Sequence, residues 1–184
     1  MTNKFGLVIR DGLENDINAC MKLDVTYETD YVWQMSIRRD TDQQQVLFKE
    51  EHLPRTLEAS YPADAERLRN ALKAKHCFLV AANRDSSDIL GYLTMRHDTG
   101  HGLAIIQDIV VSRPFRRYKI GSRLLKVARK WAMEHGLSAL QVETRSKNHP
   151  AILFCQYSGL NFCGFNDQYF KNQDIAVFFG QSLR

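Results

Sequence analysis

The segment that most constrains the fold of this chain is a short basic turn, R-R-Y-K-I-G-S, at residues 116–122. It follows the apolar run 105–111, which is typical of a buried strand, and it precedes a helical pattern at 123–135. A strand that passes directly into a helix brings backbone N–H groups and the positive end of the helix dipole to one point. The sequence therefore predicts a phosphate-sized anion site at this turn.

The residue types within the turn suit an anion. Arg116 and Arg117 supply charge-assisted hydrogen bonds, Lys119 supplies a point charge, and Gly121 has no Cβ to keep a ligand away from the backbone. The alternative is a solvated basic face at the start of a helix. Cations at a helix N-terminus oppose the dipole, and this cost favours the anion-binding interpretation.

Size and charge limit the class of protein. With 184 residues, 44% of them hydrophobic, the chain is expected to form one domain, 1–184, with a full core. The net charge of +4 arises from 25 basic and 21 acidic residues, and it is too small to indicate a nucleic-acid partner.

Cysteine spacing and hydropathy predict a cytoplasmic protein. The four cysteines form no C-x-x-C pair, and no histidines lie at metal-ligand spacing, so we expect neither a disulfide framework nor a bound metal. The N-terminus does not resemble a signal segment, and no apolar run approaches the roughly 18 residues that a membrane span needs. We therefore expect no membrane partner.

Hydrophobic periodicity predicts an α/β (α+β) fold. Strands are expected at 5–10, 31–37, 45–48, 77–82, 89–96, 103–111, 140–144, 162–165 and 175–179, and helices at 11–23, 62–75, 123–135 and 150–158. Exposed turns are expected at 39–45 and 83–88. The three strands between 77 and 111 are expected to form an antiparallel meander. The result is a mixed, mostly antiparallel sheet with one central crossover and flanking helices.

Residues 109–125, I-V-V-S-R-P-F-R-R-Y-K-I-G-S-R-L-L, resemble the acetyl-CoA-binding motif of the GNAT N-acetyltransferase superfamily. That motif reads Arg or Gln, two residues, Gly, one residue, then Gly or Ala. The similarity continues through Val142-Glu143-Thr144, Asn148, Pro150-Ala151 and Ser158-Gly159-Leu160, and it is greatest to streptothricin acetyltransferases. It covers about residues 105–160 and is weaker before them.

The resemblance implies an enzyme that binds acetyl-CoA as its cosubstrate in a cleft between two splayed strands. Direct transfer to a primary amine of a small-molecule or peptidic acceptor is expected, and a homodimer is possible. The family motif assigns the pyrophosphate to the backbone of Arg116, Arg117, Tyr118, Lys119, Ile120, Gly121 and Ser122. It assigns the pantetheine arm to Ile109, Val110, Val111, Asn148 and Ala151, with main-chain pairing along the strand.

Three positions depart from the family pattern. Lys119 replaces the first glycine, and we expect it to keep a right-handed turn while blocking the closest approach of the ligand. Cys155 replaces a tyrosine that protonates the departing thiolate in many relatives, and Tyr157, two residues on, faces another side of the helix. Gln107 replaces a glutamate base found in polyamine-type relatives.

The catalytic candidates are therefore Glu143, Asp108, Cys155 and Tyr157. Glu143 and Asp108 are the available carboxylates for removing a proton from an amine whose pKa in solution is about 10.4. Glu143 could equally be an outward-facing charge, and Asp108 a structural hydrogen-bonding group. Cys155 could be a buried small hydrophobe, a weak acid or a site of acylation.

An acceptor site is predicted at Tyr27, Glu28, Asp30, Tyr31 and Trp33. Aromatic rings interleaved with carboxylates can hold a cationic amine by cation–π and ionic contacts. A core role for the rings of Tyr31 and Trp33 is the alternative.

His97, His101 and His149 are expected to be solvated loop residues.

The main alternative function is a CoA-binding pseudoenzyme that acts as a sensor or interaction module, because Cys155 and Gln107 occupy usual catalytic positions. Nucleic-acid binding is a distant third.

Overall fold

The computed structural model describes residues 6–184, in which strands and helices alternate as in a mixed α/β fold. The strands are β1 (Leu7–Asp11), β2 (Thr26–Arg39), β3 (Gln44–Ser60), β4 (Cys77–Asn83), β5 (Ile89–Asp98), β6 (Leu103–Val111), β7 (Ala139–Arg145), β8 (Asn161–Asn166) and β9 (Ala176–Ser182). The helices are α1 (Ile17–Met21), α2 (Ala65–Lys73), α3 (Ile120–Glu134) and α4 (His149–Tyr157). The predicted start of the first strand, Phe5, lies outside the described residues.

The predicted sheet class is confirmed. Seven strands are hydrogen-bonded in the order β1-β4-β5-β6-β7-β9-β8, and β2 and β3 form a separate two-stranded sheet. The pairs β1/β4, β4/β5 and β5/β6 are antiparallel, which gives the expected meander. β6 and β7 are parallel, with α3 as the crossover between them, and their register runs from Leu103/Ala139 to Ile106/Val142.

The described chain divides into two compact units. Unit 1 contains residues 6–26, 60–142 and 180–184, and unit 2 contains Tyr27–Ala59 and Glu143–Phe179. β7 and β9 each contribute residues to both units. That residues 1–184 form one domain stays a prediction.

The core of unit 1 lies between the meander and the helices. One cluster joins α1 and α2 to β4, β5 and β6, and it consists of Ile17, Cys20, Leu68, Ala71, Phe78, Val80, Tyr92 and Val110. α2 begins at an Asp64 side chain that accepts a hydrogen bond from the N–H of Glu66, as a helix cap does. α3 buries Ile120, Leu124, Leu125, Ala128 and Ala132, which is the face that its periodicity predicts.

The core of unit 2 is aromatic. The ring of Trp33 lies 5.6–5.8 Å from those of Phe48, Phe162 and Phe179, measured between centroids. Phe48 also contacts Phe165 at 5.5 Å. Rings at these separations gain from edge-to-face packing beyond the burial of their surface. The alternative core role for Trp33 is therefore the one that its contacts support.

Three predicted elements differ clearly from the structure. The helix expected at 11–23 is a 3₁₀ turn at Glu14–Asp16 followed by α1. Gly12 explains the difference, because its N–H donates to the carbonyl of Phe78 and a Cβ there would lie 2.4 Å from the Phe78 ring. The strands expected at 31–37 and 45–48 are much longer, since β2 and β3 extend the hairpin to 26–60.

The prediction that all three histidines are solvated loop residues is wrong for two of them. His97 lies on β5, where its Nδ1 is 3.1 Å from Nδ1 of His76. His149 is buried at the start of α4, with its Nε2 2.7 Å from a carboxylate oxygen of Glu50. His101 is exposed in the turn after β5, as expected, beside Asp98.

Candidate functional site

The basic turn in unit 1 leads to a helix that begins without a side-chain cap. The residue before α3 is Lys119, whose side chain makes no capping hydrogen bond to the start of the helix. The N–H groups of Ile120, Gly121 and Ser122 therefore have no acceptor within the helix, because the first turn of an α-helix lacks preceding carbonyls. These groups and the helix dipole provide the donors that an oxyanion needs.

The backbone of the turn is left-handed at two positions. Arg117 has φ 71° and Lys119 has φ 61°, so the expected right-handed turn at Lys119 is wrong. A left-handed residue followed by the right-handed Ile120 turns successive N–H groups toward one concave point, a geometry that binds anions. The conformation also gives a physical reason for the glycine at this position of the motif that the segment resembles, since a side chain disfavours φ > 0.

Arg116 connects the turn to the end of β6. Its Nε donates to the carbonyl oxygen of Val111 at 3.0 Å, and the side chain is half-buried. Burial lowers the pKa of its guanidinium, partly offset by Asp24. Arg117 and Lys119 are exposed. Arg116 therefore positions the turn through a main-chain contact, while the side chains of Arg117 and Lys119 present their charges to solvent.

Lys119→Gly is expected to be more stable than Lys119→Ala, because both variants lose the charge and only alanine keeps the Cβ at φ 61°. We expect the free energies of unfolding to differ by about 1 kcal/mol, measured by urea denaturation. Equal stability of the two variants would mean that the backbone at residue 119 relaxes out of the left-handed region.

β6 contains a bulge in the strand that leads to this turn. Thr94 pairs with Asp108 and Met95 pairs with Ile106, so the register of β5 places no residue opposite Gln107. Beyond the bulge, the N–H of Ser112 donates to the carbonyl of Leu90 at 2.9 Å. Because antiparallel ladders alternate, the N–H of Val111 then faces away from β5, toward the opposite edge of β6.

Asp108 is enclosed in a polar network. It is 1% exposed, and one oxygen accepts hydrogen bonds from Tyr61 and from Arg67 Nη1, the latter at 2.7 Å. The other oxygen accepts from the hydroxyl of Thr94. These contacts are those of the structural alternative for Asp108, and its role as a base stays a prediction.

Glu143 lies in unit 2, on the second half of β7. It is partly exposed, and one carboxylate oxygen accepts a hydrogen bond from the hydroxyl of Tyr169. A partly exposed carboxylate that is already oriented by a hydroxyl can accept a proton without a large change in packing. Between the two predicted carboxylates, Glu143 is the more accessible one.

Cys155 and Tyr157 occupy different surfaces of α4. Cys155 is buried, and burial raises the pKa of its thiol to about 12. A thiol whose pKa is raised by burial is a weaker acid than an ordinary thiol, so proton transfer from Cys155 to a solvated thiolate is unfavourable. Tyr157 is 86% exposed at the end of the helix. The contacts of Cys155 agree with its interpretation as a small hydrophobe.

Asn148 acts as the cap of α4. Its side-chain oxygen accepts from the N–H of Ala151 at 3.2 Å, so the Asn-x-x-Ala spacing of the sequence closes the first turn of this helix. The contact with pantetheine that the resemblance implies for Asn148 stays a prediction.

The predicted acceptor residues lie along β2. The side chains of Glu28 and Asp30 are exposed, and Asp30 accepts a hydrogen bond from Thr56 at 2.7 Å. Tyr27 is half-buried, and burial raises its pKa. The partly exposed Tyr31 ring packs 5.0 Å from His52 and 5.6 Å from the buried His149, measured between centroids.

Sequence reasoning missed the partners of these residues. Tyr61, Arg67 and Thr94 were not recognised as polar contacts of Asp108, and Glu50 was not recognised as the partner of His149. Arg67 lies within the predicted helix 62–75, where its position on the inner side next to Leu68 was the available signal.

Within residues 6–184, no helix is long and apolar enough to cross a membrane. In the same part of the chain, no three His, Cys, Asp or Glu side chains are grouped so that they could hold a metal ion. The four cysteines are all free.

A family comparison matches the greater part of the chain. The model of the "Acetyltransferase (GNAT) family" matches residues 41–160. Among curated proteins, streptothricin acetyltransferase of Streptomyces lavendulae is 24% identical over 162 residues, which cover 88% of this chain and 85% of that protein.

Solved structures share the fold over nearly the whole chain. Nourseothricin acetyltransferase matches with a TM-score of 0.82 and 20% identity, over 97% of this chain and 99% of that one. A Bacillus anthracis protein assigned as a streptothricin acetyltransferase, in complex with acetyl coenzyme A, matches with a TM-score of 0.77 and 22% identity. It covers 96% of this chain and 99% of its own. At these identities the structural likeness establishes the fold.

Proposed function

The chain is an N-acetyltransferase of the acetyltransferase (GNAT) family, and we propose that it transfers the acetyl group of acetyl-CoA directly to a primary amine of a small-molecule or peptidic acceptor. The observation that carries the proposal is the uncapped start of α3 beneath an exposed basic turn. The acetyl-CoA complex of the B. anthracis relative supports it. The whole of residues 1–184 would form one such catalytic domain.

The pyrophosphate of acetyl-CoA would bind at the start of α3. The N–H groups of Ile120, Gly121 and Ser122 supply donors, and the exposed side chains of Arg117 and Lys119 supply charge. The backbone of Arg116 and Tyr118 completes this turn. Because the phosphates replace the missing helix cap, binding satisfies donors that are otherwise left to water.

The pantetheine arm would lie along the free edge of β6. The outward main-chain groups of Ile109 and Val111, with Val110 between them, can pair with the amides of the arm as an added strand does. The N–H of Val111 is the proposed donor to the thioester oxygen, where negative charge develops during attack. Asn148 and Ala151 are proposed as further contacts of the arm.

Glu143 is the proposed base. The neutral amine nitrogen attacks the thioester carbon, the N–C bond forms, the C–S bond breaks, and CoA leaves as a thiolate. The proton lost by the amine is taken up by Glu143. Asp108 is a weaker candidate because its oxygens are enclosed, although it remains part of the proposed catalytic set.

The thiolate would leave without an acid from α4. The raised pKa of Cys155 makes it a poor proton donor, and Tyr157, the other predicted candidate on α4, is exposed at the end of the helix. A thiolate is a fairly stable anion near neutral pH, so it can take its proton from solvent, and the missing acid slows turnover without abolishing it.

The acceptor would bind at the predicted residues of β2. Glu28 and Asp30 supply negative charge, and Tyr31 offers a partly exposed ring to a cationic amine. Tyr27 and Trp33 would support that surface from their half-buried positions. A streptothricin-type antibiotic, a polyamine, an amino acid and a protein N-terminus all carry a suitable amine.

Purified protein is expected to bind acetyl-CoA in isothermal titration and to release CoA thiol with one member of a panel of these four amine classes. Arg117→Ser combined with Lys119→Gly should weaken binding by about 10-fold through loss of charge next to the phosphates. Heat of binding without thiol release for any amine would favour the pseudoenzyme. No binding at millimolar acetyl-CoA would contradict both functions.

A further inference from the structure

We infer that the side chains of Asp108, Arg67, Tyr61 and Thr94 form a positioning network that holds the bulge at Gln107, and through it the main-chain groups of residues 109–111 that receive the thioester. The inference rests on the proposed acetyl-CoA site along β6. All four residues lie in unit 1, and they come from α2, from the segment before it, and from β5 and β6.

The bulge determines where Asp108 points. Thr94 and Met95 are successive residues of β5 and face opposite sides of the sheet, so their partners Asp108 and Ile106 also face opposite sides. In a regular strand, side chains alternate between the two faces, so residues 106 and 108 would lie on the same face. The extra residue, Gln107, therefore turns Asp108 to the face that carries α2, where Arg67 is its partner.

Tyr61 joins the network to the backbone of the bulge. Its hydroxyl donates to Asp108 and is also 3.2 Å from the carbonyl oxygen of Gln107, the residue that β5 leaves without a partner. The same hydroxyl accepts from Arg67 Nη1 at 3.2 Å. One hydroxyl thus contacts the buried ion pair and the bulged peptide at once, so a change in either is transmitted to the other.

A buried ion pair contributes little net stability, because the cost of desolvating both charges offsets their attraction. Apolar residues of similar volume often serve a core equally well, whereas charges in an apolar setting require complete hydrogen bonding. Asp108 has neighbours such as Tyr92 and Val110 that form part of the apolar cluster. What the network adds is a defined position for β6 at the point where its main chain leaves regular pairing, and acyl transfer depends on such positions to within fractions of an ångström.

Tyr61→Phe and Tyr92→Phe form a matched pair that tests the inference. Both remove one buried hydroxyl from unit 1, but among residues 6–184 the hydroxyl of Tyr92 has no hydrogen-bond partner. We expect Tyr61→Phe to increase hydrogen–deuterium exchange in peptides that cover 105–112 by about 10-fold, and Tyr92→Phe to leave it unchanged. We also expect Tyr61→Phe to lower kcat about 10-fold, while KM for acetyl-CoA changes less than about 3-fold because the turn at 116–122 is intact.

A second pair serves if Tyr61→Phe does not fold. Thr94→Val removes a hydroxyl that donates to Asp108 without changing the shape of the side chain, and Thr94→Ser restores it. Thr94→Val should show the same faster exchange and lower kcat as Tyr61→Phe. Thr94→Ser keeps a hydroxyl, so its exchange and kcat should stay close to those of the wild type.

The outcomes separate this inference from the proposed function. Equal exchange at 105–112 in Tyr61→Phe and Tyr92→Phe overturns the positioning network, and so does faster exchange with unchanged kcat. A wild-type protein that binds no acetyl-CoA overturns the proposed site, and with it the thioester role of the network, even where the exchange data show that the bulge depends on Tyr61.

Discussion

Arg67→Met is expected to destabilise the protein more than any other single change proposed for unit 1, by about 2–4 kcal/mol in the free energy of unfolding. Arg67 is the cation that faces Asp108, and its removal leaves a carboxylate that is 1% exposed without a countercharge. The side chain of Arg67 is itself 30% exposed, which places the expected cost at the lower end for a buried pair. Thermal unfolding should show a decrease in Tm of roughly 5–15 °C.

The double variant Arg67→Met, Asp108→Asn is the control for this expectation. Asparagine carries no charge, its one oxygen can accept from Tyr61, and its amide group can donate to the hydroxyl of Thr94, so the double variant should be more stable than Arg67→Met alone. Additive losses would contradict the explanation, because they would mean that Arg67 stabilises the fold through packing of its stem and not through the charge of Asp108.

The fold class could be predicted from the sequence because it depends on apolar periodicity within short segments of the chain. The meander β4–β6 and the crossover through α3 are local in sequence, and apolar periodicity reports them directly. The length of β2 and β3 did not follow, because both strands carry many exposed charges and alternate weakly. The helix expected at 11–23 failed for a tertiary reason, since Gly12 must approach Phe78 on a neighbouring strand.

In the candidate site, too, the features that are local in sequence could be predicted and those that depend on tertiary contacts could not. The turn at 116–122 was recognisable because its donors are consecutive in the chain. The left-handed conformation of Lys119 was not, because a lysine rarely adopts a positive φ and its residue type gives no signal for one. The partners of Asp108 depend on a one-residue bulge that reverses the face of a strand, and period-two patterns do not register such an insertion. Long-range polar pairs such as His149 with Glu50 leave no local signal at all.

Glu143→Gln is expected to give the largest loss of activity, lowering kcat at pH 7 by about 10²-fold to 10³-fold while the affinity for acetyl-CoA stays unchanged. Glutamine keeps the shape of the side chain and an oxygen that can accept from Tyr169, but it cannot take a proton from the acceptor amine. Thiol release in steady state measures kcat, and isothermal titration measures binding. Glu134→Gln is the matched control, because Glu134 is an exposed glutamate at the end of α3 whose partner is Lys130, and its rate should stay within about 2-fold of wild type.

The pH dependence of Glu143→Gln distinguishes a base from a structural residue. At pH 7 almost all of an amine with a pKa near 10.4 is protonated, and the fraction that is neutral rises about tenfold with each pH unit below that value. Because the variant depends on amine that is already neutral, its deficit relative to wild type should shrink as the pH rises from 7 to 9.5. A deficit that is the same at every pH would show that Glu143 orients the β7 strand or the acceptor. If Glu143→Gln is as active as Glu134→Gln while Asp108→Asn loses turnover at unchanged stability, the base is Asp108.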